Sequence, residues 1–405
     1  MDNSTENKRS ILFVDDEANI LSGLRRSLRA HRKLWDMAFA GSGPEALEKA
    51  DEGHFDAVVT DMRMPGMDGA QLLNRIAERH PNIVRIVLSG QSDQETVMKT
   101  VGPAHQYLSK PCEVDTLKST LMRAFALRDL LGKSELKSLI SGMRSLPSLP
   151  TIYHELLGLI QDPNTAVADI GRLIAKDPAM TVKTLQLVNS AFFGLGRHIS
   201  NPVEAASLLG MEILKPLVLS IGIFQQFEQD KLTTKAFSMD SLWAHSMKVG
   251  ALAKQIASRQ KMDKTAIEDC LLAGMLHDIG KLILVLNLPD EYCQLETVLT
   301  DKQQPRYSAE IEIFGTTHGA VGAYLLGLWG LPEPVVEAVA MHNQPALQVE
   351  KVFSALSVVH TANGLVNQQA GEDPEIPLLD KDYLQSVGIL DKLETWQSLI
   401  NANDE

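Results

Sequence analysis

Cysteine is scarce in this chain: Cys112, Cys270 and Cys293 are its only three, spread over 405 residues. An odd, dispersed set builds neither a disulfide framework nor a CxxC metal knuckle, and it fits a reducing compartment. Long apolar runs are missing as well. Stretches such as "PLVLSIGIF" at 216–224 are too short to span a bilayer. The polar opening "MDNSTENKRS" lacks the apolar segment of a secretory signal. The expectation is a cytoplasmic protein with no membrane partner. Positive charge is the third shortage. Lys and Arg number 38 against 51 Asp and Glu, a net charge of −13. That balance disfavours sequence-blind binding to phosphates, so no nucleic-acid partner is expected. The basic run "RRSLRAHRK" at 25–33 reads as the solvated face of a helix.

What is present is ordinary globular material, 44% hydrophobic and 22% charged, in a length that predicts two or three domains. Short apolar runs rich in β-branched residues alternate with helical patterns over the first 130 residues: "ILFV" (11–14), "DAVVT" (56–60), "VRIVLS" (84–89), "HQYLS" (105–109) and a weaker "WDMAFA" (35–40). This predicts a doubly wound α/β domain whose five-stranded parallel sheet is covered on both faces. Capping boxes are expected at Ser42 with Glu45 and at Ser92 with Glu95. After Pro111, one long helix, or two broken near Gly132, closes the domain. From "LPSLP" (146–150) onward, apolar segments at helical period predict an all-α domain of about nine or more helices. The expected boundaries are a disordered N-terminus at 1–9, the α/β domain at 10–128, a linker helix at 129–145, the all-α domain at 146–345, and a C-terminal helical extension with an acidic tail at 346–405.

Parallel sheets bind ligands at the carboxyl ends of their strands. Asp15 and Asp16 follow the first strand, Asp61 ends the third, Ser89 ends the fourth, and Lys110 follows the fifth. Carboxylates held this close repel one another and call for a hard divalent cation, and oxygen ligands suit Mg²⁺. An aspartate is then a workable acceptor for a phosphoryl group, with a lysine and a hydroxyl to hold the phosphate oxygens. The motifs "FVDDE", "TDMRMPGMDG", "LSG" and "YLSKP" together resemble the receiver domain of bacterial response regulators, a flavodoxin-like fold, over roughly 10–130. The resemblance implies Asp61 as phosphoacceptor and Mg²⁺ ligand, Asp16 as a direct Mg²⁺ ligand, Asp15 as an acid reaching the metal, often through water, and the backbone carbonyl of Arg63 as a further ligand. It also implies Lys110 as the phosphate-pairing lysine, Ser89 as the switch hydroxyl and Tyr107 as the switch aromatic. A sensor histidine kinase is the implied phosphodonor, and homodimerisation through the receiver is a further option.

In "AGMLHDIGKLIL" (273–284), one helix is expected to run through His277 and Asp278. Leu271, Leu272, Met275, Leu276, Ile279, Leu282, Ile283 and Leu286 form an apolar stripe at helical spacing. His277 lies almost opposite, on a mostly small-residue face with Cys270, Ala273, Gly274, Gly280 and Lys281 that lets a neighbour approach, and Asp278 lies off the stripe's edge, so that both side chains are expected to reach one point. His245, His318, His342 and His360 fall in or beside other apolar helical segments. Buried histidines with an aspartate are natural ligands for Zn, Mn or Fe. For any one of them alone, a core imidazole bonded to a backbone carbonyl is the plainer reading.

The His-Asp pair, with "LPSLP", "DPAMTVKTLQLVNSAFFG" and "SLLGMEILKPLVLS", resembles the HD superfamily and its HDOD output domains over about 140–345. Matched to catalytic relatives of the HD-GYP type, it implies His245, His277, Asp278, His318 and His342 as a candidate transition-metal site. Asn363 stands where those relatives carry a late aspartate, Asn343 stands for the second histidine of a pair, and no GYP loop follows. HDOD domains are regarded as protein-binding outputs. The implied function is a two-component response regulator in which phosphorylation at Asp61 switches an all-α HDOD domain that contacts a downstream protein. The alternative is a metal-dependent cyclic-dinucleotide phosphodiesterase of the HD superfamily under receiver control. In "DPAMTVKTLQLVNSAFFG", Asp177-Pro178 reads as a helix start, Leu185, Val188, Phe192 and Phe193 as core, and Asn189 and Ser190 as a helix end or turn.

Overall fold

The computed structural model describes residues 8–89, 104–131, 134–143, 150–161, 165–189, 197–211, 214, 237–302, 304–370 and 379–401. The β-branched runs form β1 (Arg9–Val14), β2 (Trp35–Ala40), β3 (Ala57–Asp61), β4 (Val84–Ser89) and β5 (Gln106–Ser109). All pairings are parallel, in the order β2-β1-β3-β4-β5. This is the flavodoxin-like doubly wound order, and its reversal between β1 and β3 opens a crevice at their carboxyl ends. Ile11, Leu12, Phe13, Val58 and Val59 are all buried, as a sheet covered on both faces requires. β1 starts at Arg9, inside the segment expected to be disordered. Its backbone pairs with β2, and its guanidinium binds Asp56 and Asp129.

The Ser42 hydroxyl accepts from Glu45 N at 3.4 Å, but the Glu45 carboxylate turns back to Gly41 N at 2.7 Å instead of Ser42 N. A complete capping box joins Asp68 and Gln71 at the start of Gly69–Arg79. The Ser92–Glu95 box lies outside the described residues. The segment after Pro111 forms two helices, Val114–Asp129 and Ser134–Gly142. Beyond them no strand occurs among the described residues. Asp177 caps Pro178–Val188 through Met180 N, and Leu185 and Val188 are core. Asn189 is that helix's C-cap and clamps Ile199 by two hydrogen bonds. Phe192, Phe193 and Ser190 lie outside the described residues.

The helical core is built from Met239–Arg259, Lys264–Leu276, Ile279–Asn287, His318–Leu328, Glu333–Met341 and Ala355–Ala370. The helix expected to run through His277 and Asp278 is broken there. Lys264–Leu276 ends with His277 as its C-cap, and Asp278 is the N-cap of Ile279–Asn287. Adjacent residues of an unbroken helix do not face each other. The break lets both side chains reach one point.

The two domains meet along β5 and Val114–Asp129. Gln106 Nε2 donates to Gly327 O (2.8 Å), Arg123 donates to Leu331 O, and Thr316 Oγ1 donates to Leu130 O (3.3 Å). Ser134–Gly142 is held from both sides. Its orphan Ser141 carbonyl accepts from Arg85 Nη2 (2.7 Å) and from His105 Nε2 (2.8 Å), while its hydroxyl bonds Tyr324 Oη (2.8 Å). The Arg85 amide donates to His105 Nδ1 (3.0 Å), which fixes the ring proton on Nε2. Burial and then the Arg85 charge hold the His105 imidazole well below its usual pKa, in keeping with a neutral ring.

Two glycines set how closely these parts approach. A Cβ on Gly280 would come 1.9 Å from His318 O, and one on Gly327 would come 2.0 Å from Leu127 Cδ1. The first clash is with backbone, which cannot rotate away. Gly280→Ala should therefore destabilise the helical domain by about 3 kcal/mol or more. The check is the urea midpoint of that domain, followed by far-UV circular dichroism; an unchanged midpoint would refute the close packing of these helices.

Candidate functional site

At the carboxyl end of the sheet, Asp15 is buried, Asp16 is exposed and Asp61 is half-buried. Oxygens of the three carboxylates lie within 4.8 Å of one another. Asp15 Oδ1 accepts from Glu17 N (2.9 Å), and Asp61 Oδ2 accepts from Arg63 N (3.2 Å). Each acid therefore keeps its other oxygen for the crevice, where the Lys110 ammonium sits 2.7 Å from Asp15 Oδ2 and 2.5 Å from Asp61 Oδ1. The Lys110–Pro111 peptide is cis. Burial pushes the Asp61 carboxyl up, against the pull of Lys110. Burial also opposes the Lys110 charge, but Asp15 and Asp61 together raise its pKa. A crevice that draws an ammonium between two carboxylates has the donor set for a hard cation. Tyr107 is buried and, among the described residues, lines a groove of about 810 Å³ whose far wall includes Trp329, Val336 and Met341. The side chain of Ser89 lies outside the described residues.

The second cluster gathers all five residues singled out in the helical domain. Asp278 is the hub. Its Oδ2 is 3.4 Å from His277 Nε2 and 3.7 Å from His245 Nε2; its Oδ1 is 3.1 Å from His318 Nε2 and 3.7 Å from His342 Nε2. The outer nitrogens are committed elsewhere. His277 Nδ1 faces Gly274 O (2.8 Å), His342 Nδ1 faces Val339 O (2.9 Å), and His318 Nδ1 faces the Glu310 carboxylate (2.7 Å). Donation through Nδ1 to the two carbonyls leaves the Nε2 lone pairs of His277 and His342 pointing inward, the tautomer a metal ligand needs. The buried His277 Nε2 has no hydrogen-bond partner.

Burial pushes His342 down to about 3 and His245 down to about 4, so both rings are neutral near pH 7. Burial opposes ionisation of Asp278, yet the charges and hydrogen bonds around it, the Lys281 ammonium at 2.7 Å among them, hold its carboxyl well below the usual range. His318 goes the other way. Burial disfavours its charge, but Glu310 and Asp278 flank it and raise it. The amides that replace expected ligands stand at the rim. Asn363 Oδ1 is 3.0 Å from His245 Nε2, and Asn343 Nδ2 is 2.9 Å from His342 Nε2.

His360 is not part of this group; it bonds His342 O and Asp380 N and is a satisfied core histidine. Sequence reasoning missed Glu310, which is fully buried and also accepts from His318 N (2.8 Å). Lys281, which the sequence placed on the His277 face without pairing it, stands 2.7 Å from Asp278 Oδ2. That pairing was within reach, since Lys281 lies three residues after Asp278. Glu310 belongs to a different helix, and no motif signals it.

Comparison with known proteins adds the lineage. The chain matches the model of the response regulator receiver domain over residues 11–122 and that of the HDOD domain over 146–345. It is 27% identical over 237 residues to an uncharacterized protein of Treponema pallidum, covering 58% of this chain and 45% of that protein. It is 36% identical over 123 residues to the transcriptional regulatory protein ZraR of Escherichia coli K12, covering 30% of this chain and 27% of that protein. The chain thus spans less than half the length of these curated relatives. Among solved structures it is similar to the MmoQ response regulator of Methylococcus capsulatus, at 21% identity and a TM-score of 0.48, over 63% of this chain and 98% of that one. Both domain models fall on the two parts seen in the fold. The chain joins a response regulator receiver domain to an HDOD domain, the architecture of a two-component response regulator with an HDOD output.

Proposed function

We infer that Asp61 accepts a phosphoryl group from a phosphohistidine of a sensor kinase, and that the receiver then changes its seat on the HDOD domain to alter contact with a downstream protein. The observation that carries this reading is the Lys110 ammonium held between Asp15 and Asp61 (2.7 and 2.5 Å). An Asp61 carboxylate oxygen forms the new P–O bond as the P–N bond of the donor breaks. Lys110 pairs with the phosphate oxygens, and Ser89 is the hydroxyl assigned to them. Asp15 and Asp16, with the Arg63 carbonyl, would hold Mg²⁺, which supplies charge neutralisation during transfer. Tyr107 carries the change outward, since it borders the groove facing the HDOD domain.

For the HDOD cluster the same geometry supports one bound transition-metal ion. The inward lone pairs, the orphaned His277 Nε2 and the ionised Asp278 make a mixed nitrogen–oxygen donor set. The ion's ligands would come from two triads that share Asp278, His245–His277–Asp278 and Asp278–His318–His342. With Asn363 and Asn343 in place of charged or basic ligands, the cluster lacks the donors to hold a second ion and to activate water, which counts against the phosphodiesterase alternative.

Two measurements test these assignments. Incubated with Mg²⁺ and a small phosphodonor, the protein should gain one acid-labile phosphoryl group by mass spectrometry, and Asp61→Asn should gain none; equal labelling of that variant would remove Asp61 as acceptor. Elemental analysis should find at most one transition-metal ion per chain, reduced in His277→Ala, with no turnover of a cyclic dinucleotide. Steady hydrolysis abolished by Asp278→Ala would make the phosphodiesterase reading the correct one.

A further inference from the structure

The histidine cluster and the receiver share one structural member, the His318–Leu328 helix. Eleven residues at about 1.5 Å each make it about 16 Å long. Its first residue is a member of the cluster, with His318 Nε2 3.1 Å from Asp278. Its other end is held by the receiver: the Gly327 carbonyl accepts from Gln106, and the Leu127 side chain fills the space that a Cβ on Gly327 would take. Between the ends, Tyr324 bonds Ser141, which Arg85 and His105 tie to β4 and β5. The cap of the receiver's last helix, at the start of the linker, also reaches the cluster end, because Thr316, two residues before His318, donates to Leu130 O.

This helix cannot absorb a displacement by sliding alone. Gly280 and Gly322 bring its backbone against the start of Ile279–Asn287, the helix that Asp278 caps. A shift imposed by the receiver therefore moves His318 relative to Asp278 or moves both helices together. Metal–ligand distances are held to within about 0.2 Å, so a displacement of a fraction of an ångström at His318 changes affinity. The receiver has a reason to shift, because Gln106 and Arg123 belong to the elements that flank the buried Tyr107.

We propose that the histidine cluster is an effector site, whose occupancy by a divalent transition-metal ion is coupled to the phosphorylated state of Asp61 through the His318–Leu328 helix. The proposal rests on the metal reading of the cluster given above and adds to it a direction of control. The two states are the receiver seated on Gly327, Leu331 and Thr316, and the receiver displaced from them. Each ligand biases that one equilibrium, so the coupling is reciprocal: whatever factor the phosphate state imposes on metal affinity, the metal imposes on binding at Asp61. The protein would then read metal availability and kinase input together.

The test uses the full chain with Mg²⁺ in excess to fill the receiver site. Co²⁺ is titrated in and followed by its visible absorption, with and without beryllofluoride as the phosphoryl mimic at Asp61. The dissociation constant for Co²⁺ should differ at least about fivefold between the two conditions. Calorimetric titration of beryllofluoride with and without Co²⁺ should show the same factor. Thr316→Val and Gln106→Ala, which delete interface bonds and no cluster ligand, should bring the ratio toward one while Co²⁺ still binds. A Co²⁺ affinity that is the same with and without beryllofluoride overturns the coupling and leaves the metal reading standing. A full ratio retained in both variants overturns the route through the helix. If no Co²⁺ spectrum appears under either condition, the metal reading falls and the proposal falls with it.

Discussion

Every residue of His318–Leu328 except Ala320 is buried, so this helix has no face to give to solvent. A helix apolar all round survives only if each side is covered by another element. Here one side meets Ile279–Asn287 through Gly280 and Gly322, another meets Glu333–Met341 through Gly319, and the C-terminal end meets Val114–Asp129 through Gly327. Three of those contacts are made by glycines of the helix itself, which reduces its intrinsic propensity. The tertiary packing overrides that cost, and it places His318 and the receiver on the same short rod.

The two clusters solve one electrostatic problem with different chemistry. Carboxylates removed from water need a compensating charge. At the sheet end the charge is a lysine, and the remaining donors are oxygens. Among the helices it is the half-exposed Lys281 together with imidazoles, and the buried Glu310 is balanced in turn by His318. Oxygen donors suit a hard ion and imidazoles a borderline one. The two sites would therefore not compete for the same metal.

The junction between domains is polar and buried at once. Arg85 is fully buried, and its guanidinium meets the backbone carbonyls of Pro81, Ile83 and Ser141 as well as His105 Nε2 (2.7 Å). Hydrogen bonds from a charged donor contribute about 1.5–3 kcal/mol, but only with their geometry intact. Such an interface is specific and intolerant of small shifts. This is a suitable property for the seated-or-displaced contact proposed above.

The receiver was legible in the sequence because its strands are continuous apolar runs and its acids fall at their ends. Parallel pairing then leaves few places for Asp15, Asp61 and Lys110 to go. The candidate ligands of the HDOD cluster were gathered into one site by the family resemblance, and nothing in their spacing along the chain would have gathered them. His245, His277, His318 and His342 lie up to 97 residues apart (342 − 245), and their convergence depends on how those helices pack. Three features were decided by tertiary structure alone. The helix breaks between His277 and Asp278, since an unbroken helix would point them apart. Glu310 backs His318 from another helix. Arg85, an arginine in the middle of an apolar strand, becomes intelligible once Ser141 arrives from the linker. Local pattern determines which segments are strands, helices and strand ends; only the packed chain decides which side chains at those ends meet.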